Sequence, residues 1–432
     1  MSNRATRRRF LQDAAALGAS LAVAGSLPAA QKKQGANDRL NLGIIAVAGR
    51  GADNLAGVAS ENIVALCDVD VNRAGKAREK YPRAAFYEDY RKLLDHKNID
   101  AVVLSTPDHM HAIPAVAALR AGKHLYCEKP LAHSVHEVRV IRETAAQHRA
   151  VTQMGTQIHA ENNYRRVVEI VQAGVLGPIR TVKVWCSRRP DPGYRAKGKT
   201  KPPAGLNYDL WLGPAPYREY DPSHLHFVWR WWWDFGGGVL ADMACHYMDL
   251  PHWALHLRSP ATVAATGQVL HKGDNLVPDI MQVDYHYAER PGLPAVDLTW
   301  YHGVKGPDLS GKHLIGDYHS GVLFEGEKGS LVADYGRHKL LPEDKFTDFV
   351  PPKPTIPASL GHHREWIDAI KAGGTTTCNF DYSGALAETV LLGNVAYRCG
   401  KKLDWDAALG KATNAPEADN FLQREYRKGW RL

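Results

Sequence analysis

No C-x-x-C pair, no internal repeat and no extended basic block occurs in these 432 residues. The six cysteines therefore nominate neither a zinc site nor a disulfide pairing. Cys67 and Cys127 close apolar runs, where a free cysteine behaves as a small buried hydrophobe. The uncharged run from Ala14 to Ala30 is rich in alanine and glycine. It falls short of the ~20 strongly apolar residues that a membrane helix needs. Formal net charge is +8; the four arginines and one aspartate of residues 1–30 leave a scattered +5 for the rest. The one basic concentration, Arg195-Ala196-Lys197-Gly198-Lys199-Thr200-Lys201, reads as a surface loop. Neither a nucleic-acid partner nor a stable membrane anchor is expected.

What the amino end does have is an ordered layout. Thr6-Arg7-Arg8-Arg9-Phe10-Leu11-Gln12 sets adjacent arginines before the uncharged run, the arrangement of an export signal. Twin arginines followed by Phe10 and Leu11 resemble the Tat type, a receptor-read address. Residues 1–30 are read as that signal and 31–38 as a polar linker, which sends the chain to the periplasm. Leu27-Pro28-Ala29-Ala30 carries no clean A-x-A cleavage signature, and a disordered basic tail is the alternative.

From residue 39 the chain alternates strands and helices. Leu40 to Val47 is an apolar run leading into Ala48-Gly49-Arg50-Gly51, a helix-like segment 52–59, the strand Ile63 to Leu66, and then Asp68 and Asp70. This is the order of a dinucleotide-binding unit, with Asp68 22 positions after Ala46. A carboxylate there accepts from a ribose 2′-hydroxyl and repels a 2′-phosphate, favouring NAD over NADP. The glycine pattern departs from G-x-G-x-x-G: the matching positions hold Ala46, Ala48 and Gly51, with an extra Gly49. A generic β-turn-α corner remains open.

Helices over 72–81, 88–94, 114–121 and 134–148 and strands over 101–105, 123–127 and 151–154 continue the alternation. Ligands collect at the carboxyl ends of such strands. Thr106, Pro107, His109, His111, Glu128 and Lys129 are therefore expected to line the cofactor cleft with Ala46, Ala48, Gly49, Arg50 and Gly51. His109 and His111 lack a third ligand of suitable spacing, so no metal is expected.

The ordered set Ala48-Gly49-Arg50-Gly51, Cys67-Asp68-Val69-Asp70, Ser105-Thr106-Pro107-Asp108-His109-Met110-His111 and Glu128-Lys129-Pro130 resembles the Gfo/Idh/MocA (glucose–fructose oxidoreductase / inositol dehydrogenase) family. The resemblance covers essentially the whole chain after residue 30. It implies a Rossmann NAD-binding domain over 39–156 and a substrate-binding α/β domain over 157–372. The latter has a large, mainly antiparallel open sheet, and C-terminal helices with a docked tail occupy 373–432.

In the second part, Asp242 and His246 stand four apart in a helical stretch after Gly236-Gly237-Gly238. By themselves they are either a helix-face hydrogen bond or an acid–base pair. The resemblance assigns Lys129, Asp242 and His246 to one catalytic group. His246 would remove a hydroxyl proton, Asp242 would orient His246, and Lys129 would stabilise charge on the substrate oxygen. Gln157, His159, Arg230 and Trp231 are expected beside them on the substrate side. The cluster Trp229-Arg230-Trp231-Trp232-Trp233 suits a carbohydrate ring, with buried core indoles as the competing reading.

The segment from Cys186 to Trp229 reads as a long irregular excursion, and 339–357 as proline-rich and irregular. Helices over 362–372 and 382–399 should pack back on the first domain. Phe421, Tyr426 and Trp430 should dock the tail. The expected function is NAD-dependent hydride transfer at a secondary hydroxyl of a sugar, cyclitol or glycoside, in a homo-oligomer formed through the open sheet. Export implies a cofactor loaded once and retained. The rivals are a redox-neutral enzyme that returns its hydride and a non-catalytic sugar-binding protein.

Overall fold

The structure, a computed structural model, describes residues 38–303 and 318–432; the signal and all of the expected linker except Asp38 lie outside these. Short apolar runs become β1 (Asn41–Ile45), β2 (Asn62–Cys67), β3 (Ala85–Tyr87), β4 (Ala101–Leu104), β5 (His124–Cys127) and β6 (Thr152–Met154). They pair in parallel in the order β3-β2-β1-β4-β5-β6. Every residue of β4 is buried. A strand covered on both faces must be apolar on both, which is why these runs do not alternate.

Helices α1 (Arg50–Gly57), α2 (Gly75–Lys80), α3 (Tyr90–Leu94), α4 (Ala112–Arg120) and α5 (Val135–Gln147) make the connections. At the start of α5, Ser134 accepts from the Glu137 N–H while the Glu137 carboxylate accepts from the Ser134 N–H. That reciprocal cap fixes where the helix begins. The strand order reverses between β1 and β4, so their carboxyl ends open the crevice in which such sheets bind ligands.

The second sheet has nine strands: β7 (Ile179–Cys186), β8 (Thr262–Gln268), β9 (Ile280–Tyr287), β10 (Val296–His302), β11 (Gly321–Gly326), β12 (Gly329–Ala333), β13 (His338–Leu341), β14 (Leu403–Asp406) and β15 (Lys411–Ala412). Their order is β13-β12-β11-β7-β10-β9-β8-β14-β15. All neighbours run antiparallel except β7 and β10, making the sheet mixed. In β9 the burial alternates, with Met281, Val283, Tyr285 and Tyr287 turned inward. The remaining main helices are α6 (Asn162–Gln172), α7 (Gly238–Tyr247), α8 (Asp249–Ala254), α9 (His362–Ala372) and α10 (Phe380–Cys399).

The late helices tie the two sheets together, as the sequence suggests. Trp366 and Ile367 of α9 are fully buried in a cluster with Leu42, Ile44, Val47 and Tyr126. Burial of two such side chains stabilises by roughly 4 kcal/mol. The Phe380 N–H at the head of α10 donates to Thr152 Oγ1 (3.0 Å), and Arg139 of α5 donates to the buried Glu388 (2.7 Å). On its other side α10 meets the second sheet at Gly393, where an added Cβ would stand 2.5 Å from the Tyr285 hydroxyl.

Four strands depart from the sequence expectation, among them the two-residue β15, which pairs with β14. β3, three residues long, lies in a stretch with no period to detect. β13 falls where irregular chain was expected, and it pairs with β12. β14 follows α10 and pairs with β8. Short strands of this kind form because a neighbouring ladder offers unpaired backbone groups, a condition their own sequence does not encode.

Candidate active site

Local backbone geometry builds the nucleotide end of the crevice. Ala46 at the end of β1 has φ 64° and Gly49 has φ 58°. Gly49 supplies the left-handed turn at no steric cost, whereas Ala46 holds it at about 1–2 kcal/mol. Gly51 opens α1 so close to the turn that an added Cβ would stand 2.0 Å from the Ala46 carbonyl oxygen. Two glycines thus do the work of the fingerprint although Ala46 and Ala48 replace its first two positions. Gly49 and Arg50 at the start of α1 line the crevice, where the partial positive charge of a helix start is a fitting seat for a diphosphate.

Asp68 follows β2 and lines the same cleft. Its carboxylate accepts from the Val47 N–H (2.9 Å) and the Asp70 N–H (3.0 Å), bridging the turns after β1 and β2. Burial raises its pKa, opposed by those two hydrogen bonds. Thr106 and Pro107 line the cleft after β4, with Thr106 Oγ1 donating to the Met110 carbonyl (2.9 Å). These groups fit the ribose and diphosphate of a dinucleotide.

Glu128 and Lys129 leave the end of β5 in opposite directions. Glu128 is buried and accepts from Arg50 Nε and Asn54 Nδ2, both at 2.9 Å, clamping α1 to β5. Burial would raise this carboxyl, yet the charges of Arg50 and Lys129 hold it below the ordinary value. Gly155 makes the room: a Cβ there would lie 2.6 Å from the Glu128 carboxyl carbon. Lys129, joined to Pro130 by a cis peptide, donates from Nζ to the Asp242 carbonyl (2.6 Å) and to Asp242 Oδ1 (2.7 Å).

The far end of the cleft, the expected substrate side, is a knot of charge around Asp242 on α7. Arg230 Nε donates to Asp242 Oδ1 (2.9 Å), and Arg188 Nη1 stands 3.6 Å from Oδ2. Burial alone would push Asp242 up, but Lys129, Arg230 and Arg188 hold it well below the carboxylate range. His246, one turn on, lines the cleft beside Tyr335, whose ring centroid lies 6.4 Å away. Burial, with Lys129 adding, draws His246 down to about 3 against the pull of Asp242. The imidazole is neutral at pH 7. Among the described residues its Nδ1 is buried without a partner, which leaves Nε2 as the nitrogen available to the cleft that His246 lines.

The structure brings Lys129, Asp242, His246, Arg230 and Gln157 to one cleft of about 770 Å³, continuous with Ala46, Ala48, Gly49, Arg50 and Asp68. It corrects four other expectations. His109 is fully buried, its Nε2 2.8 Å from the Trp211 carbonyl and its ring against Trp211 and Phe235. His111 bridges the Thr106 and Pro130 carbonyls (2.7 and 2.8 Å) from behind the cleft wall, supporting both loops. His159 is stacked on Trp253 at 3.9 Å and bonded to Asp249 at 3.0 Å, beneath α8. Trp231 is fully buried with Val239 and Val277, and Trp229 lines the cleft instead.

The expected Asp242–His246 hydrogen bond is absent among the described residues, because Asp242 is committed to Lys129 and Arg230. Neighbouring rings and cations, rather than spacing in the chain, decide each of these placements.

Sequence reasoning missed Arg188, Tyr335 and Asp108. Asp108 sits in the quoted stretch after Pro107, 4% exposed on the cleft wall. Burial lifts its carboxyl to about 8, opposed by Arg230 and Lys129 and aided by Asp242, so it carries a proton at pH 7. An acidic residue at a strand end was the available signal. Arg188 and Tyr335 carry none, since only the folded second sheet brings them here.

Comparison with known proteins bears on the family and the fold. The family model described as oxidoreductase family, NAD-binding Rossmann fold matches residues 41–156, and its C-terminal alpha/beta domain model matches 161–293. Inositol 2-dehydrogenase of Salmonella paratyphi B is 33% identical over 144 residues, 32% of this chain and 43% of that protein. The match thus spans under half the length of that relative. The uncharacterized oxidoreductase YrbE of Bacillus subtilis is 23% identical over 299 residues, 69% of this chain and 73% of its own.

Among solved structures, the WlbA dehydrogenase of Bordetella pertussis in complex with NADH and UDP-GlcNAcA superposes with a TM-score of 0.60. It is 17% identical and covers 85% of this chain and 99% of its own. Levoglucosan dehydrogenase in complex with NADH and levoglucosan gives a TM-score of 0.56 at 19% identity, covering 85% and 99%. These structures share the fold. With both family models matched in order along it, the chain belongs to the Gfo/Idh/MocA oxidoreductase family and carries that family's NAD-binding Rossmann domain.

Proposed function

We propose that this chain oxidises a secondary hydroxyl of a sugar, cyclitol or glycoside, with NAD held in place throughout. The single observation that carries the reading is the convergence of Lys129, Asp242 and His246 on the cleft that begins at the Gly49 turn. When bound, NAD supplies the acceptor for the hydride lost from carbon. His246 Nε2 takes the hydroxyl proton, being neutral and turned to the cleft. Lys129 donates to the substrate oxygen and stabilises the charge that develops there. Asp242 acts on Lys129, fixing its ammonium at two points. The alcohol carbon loses two electrons and becomes a carbonyl.

A second observation favours the redox-neutral form of this chemistry. The excursion after β7 clasps the nucleotide end through backbone bonds. Val71 N–H donates to Gly205 O (2.9 Å) and Asn207 N–H to Val69 O (2.8 Å), with Asn72 Nδ2 donating to Ala204 O (2.7 Å). Trp430 of the docked tail lines the same cleft. Such a cover supports a cofactor that does not exchange, and with the Tat-like signal it supports loading before export to the periplasm. A retained cofactor must return its hydride to a second substrate or to its own intermediate.

Purified full-length chain, desalted and incubated with a panel of glycosides, tests both forms. We expect NAD to remain bound, products to accumulate by mass spectrometry and no free NADH to appear. Cofactor that washes away, with NADH released in step with sugar oxidation, returns the simple dehydrogenase. A panel with no product at all overturns the proposed chemistry.

A further inference from the structure

We propose that the substrate is a sugar bearing an anionic group, carboxylate or ester sulfate, received by Arg188 and Arg230 at the substrate end of the cleft. This rests on the function proposed above and narrows it to a substrate class. Three cations, Lys129, Arg188 and Arg230, share the single ionised carboxylate of Asp242. Of the other carboxyls on this wall, Glu128 is committed to Arg50 and Asn54, and Asp108 is buried and enters no ion pair among the described residues, so the excess stands. A neutral sugar would enter a cleft in which two positive charges lack a counter-charge. An anion brings the missing charge with it.

The guanidiniums are also poised for recognition. Arg188 is 36% exposed, and among the described residues its guanidinium donates no hydrogen bond; its nearest carboxylate oxygen is 3.6 Å away. Its planar group lies over Phe227 (5.2 Å) and Trp231 (5.4 Å), which hold it without using its N–H groups. Arg230 gives Nε to Asp242 and Nη1 to the Phe227 carbonyl (3.1 Å), leaving Nη2 unspent. It is stacked on Phe227 (4.4 Å) and Trp229 (4.3 Å). Guanidiniums fixed in plane by aromatic faces, with free N–H edges, match the flat fork of a carboxylate or the oxygens of a sulfate. For a neutral hydroxymethyl group, one uncharged amide would do the same work without the excess charge.

The test uses NAD-loaded full-length protein and two sets of probes: glucose, glucuronate and glucose 6-sulfate, and galactose with galacturonate. We expect the anionic member of each set to bind at least about tenfold more tightly at low salt, with the advantage shrinking as ionic strength rises. The carboxylate and sulfate arms identify which anion fits. Arg188→Gln should abolish the preference while bound NAD and melting temperature are kept, and Arg188→Lys should restore only part of it. Equal or tighter binding of the neutral sugars, or a preference untouched by Arg188→Gln, overturns the inference. Neutral sugars oxidised while acids are ignored would remove this inference alone; no sugar bound or oxidised would remove the proposed function as well.

Discussion

The two ends of the one cleft are built on opposite plans. At the nucleotide end the working parts are a positive-φ turn and a helix start, with one carboxylate holding two backbone amides, all within residues 46–70. At the substrate end they are side chains drawn from Lys129, Arg188, Arg230 and Asp242, up to 113 residues apart in the chain. Backbone geometry can be set by neighbours in sequence. A knot of three cations on one carboxylate exists only when two sheets are docked. A change at the first end should alter cofactor binding and stability, and a change at the second should alter turnover.

Lys129→Ala breaks that division most severely if it holds. Turnover should fall by about 10²–10³, the scale of losing one preorganised donor, with NAD affinity retained. Fluorescence titration beside steady-state rates separates the two, and a variant that lost NAD instead would merge the two ends.

Next comes the choice of dinucleotide. With Asp68 on the ribose, NADP should bind more weakly than NAD by one to a few kcal/mol, and Asp68→Asn should narrow the gap. Equal affinities in the native protein would place Asp68 elsewhere.

Gly51→Ala probes the backbone plan directly. A Cβ 2.0 Å from the Ala46 carbonyl oxygen must displace the turn, at about 1–3 kcal/mol. The melting temperature should drop and NAD should no longer restore it, whereas an equally stable variant would show the turn to be compliant.

The change that bears least on the comparison of the two ends concerns Asp108, whose carboxyl sits at about 8 in the folded chain against about 4 for a free carboxyl. Between those values the folded state keeps a proton that the unfolded chain has released. Stability therefore falls as pH rises through this window. Asp108→Asn should match the native protein near pH 4 and gain on it steadily as pH rises, by about 4 kcal/mol at most near pH 7. Parallel melting curves across that range would mean that Asp108 is ionised.

Much of this molecule is legible in its sequence. The unbroken apolar runs of β1, β4 and β5 announce a parallel sheet, because strands covered on both faces have no polar side to show. Asp68 and the Asp242-to-His246 spacing stand out for the same local reason. Tertiary structure alone decided the partners. Asp242 is close to His246 along one helix, yet it bonds to Lys129 and Arg230 because two cations outweigh a neutral imidazole for a buried carboxylate. His109, His159 and Trp231 look like site residues in the chain and end in aromatic packing, since burial of a ring depends on which rings arrive from elsewhere. Arg188 has no mark in the sequence at all. It becomes part of the cleft because β7 ends beside α7, a consequence of how the nine strands are ordered.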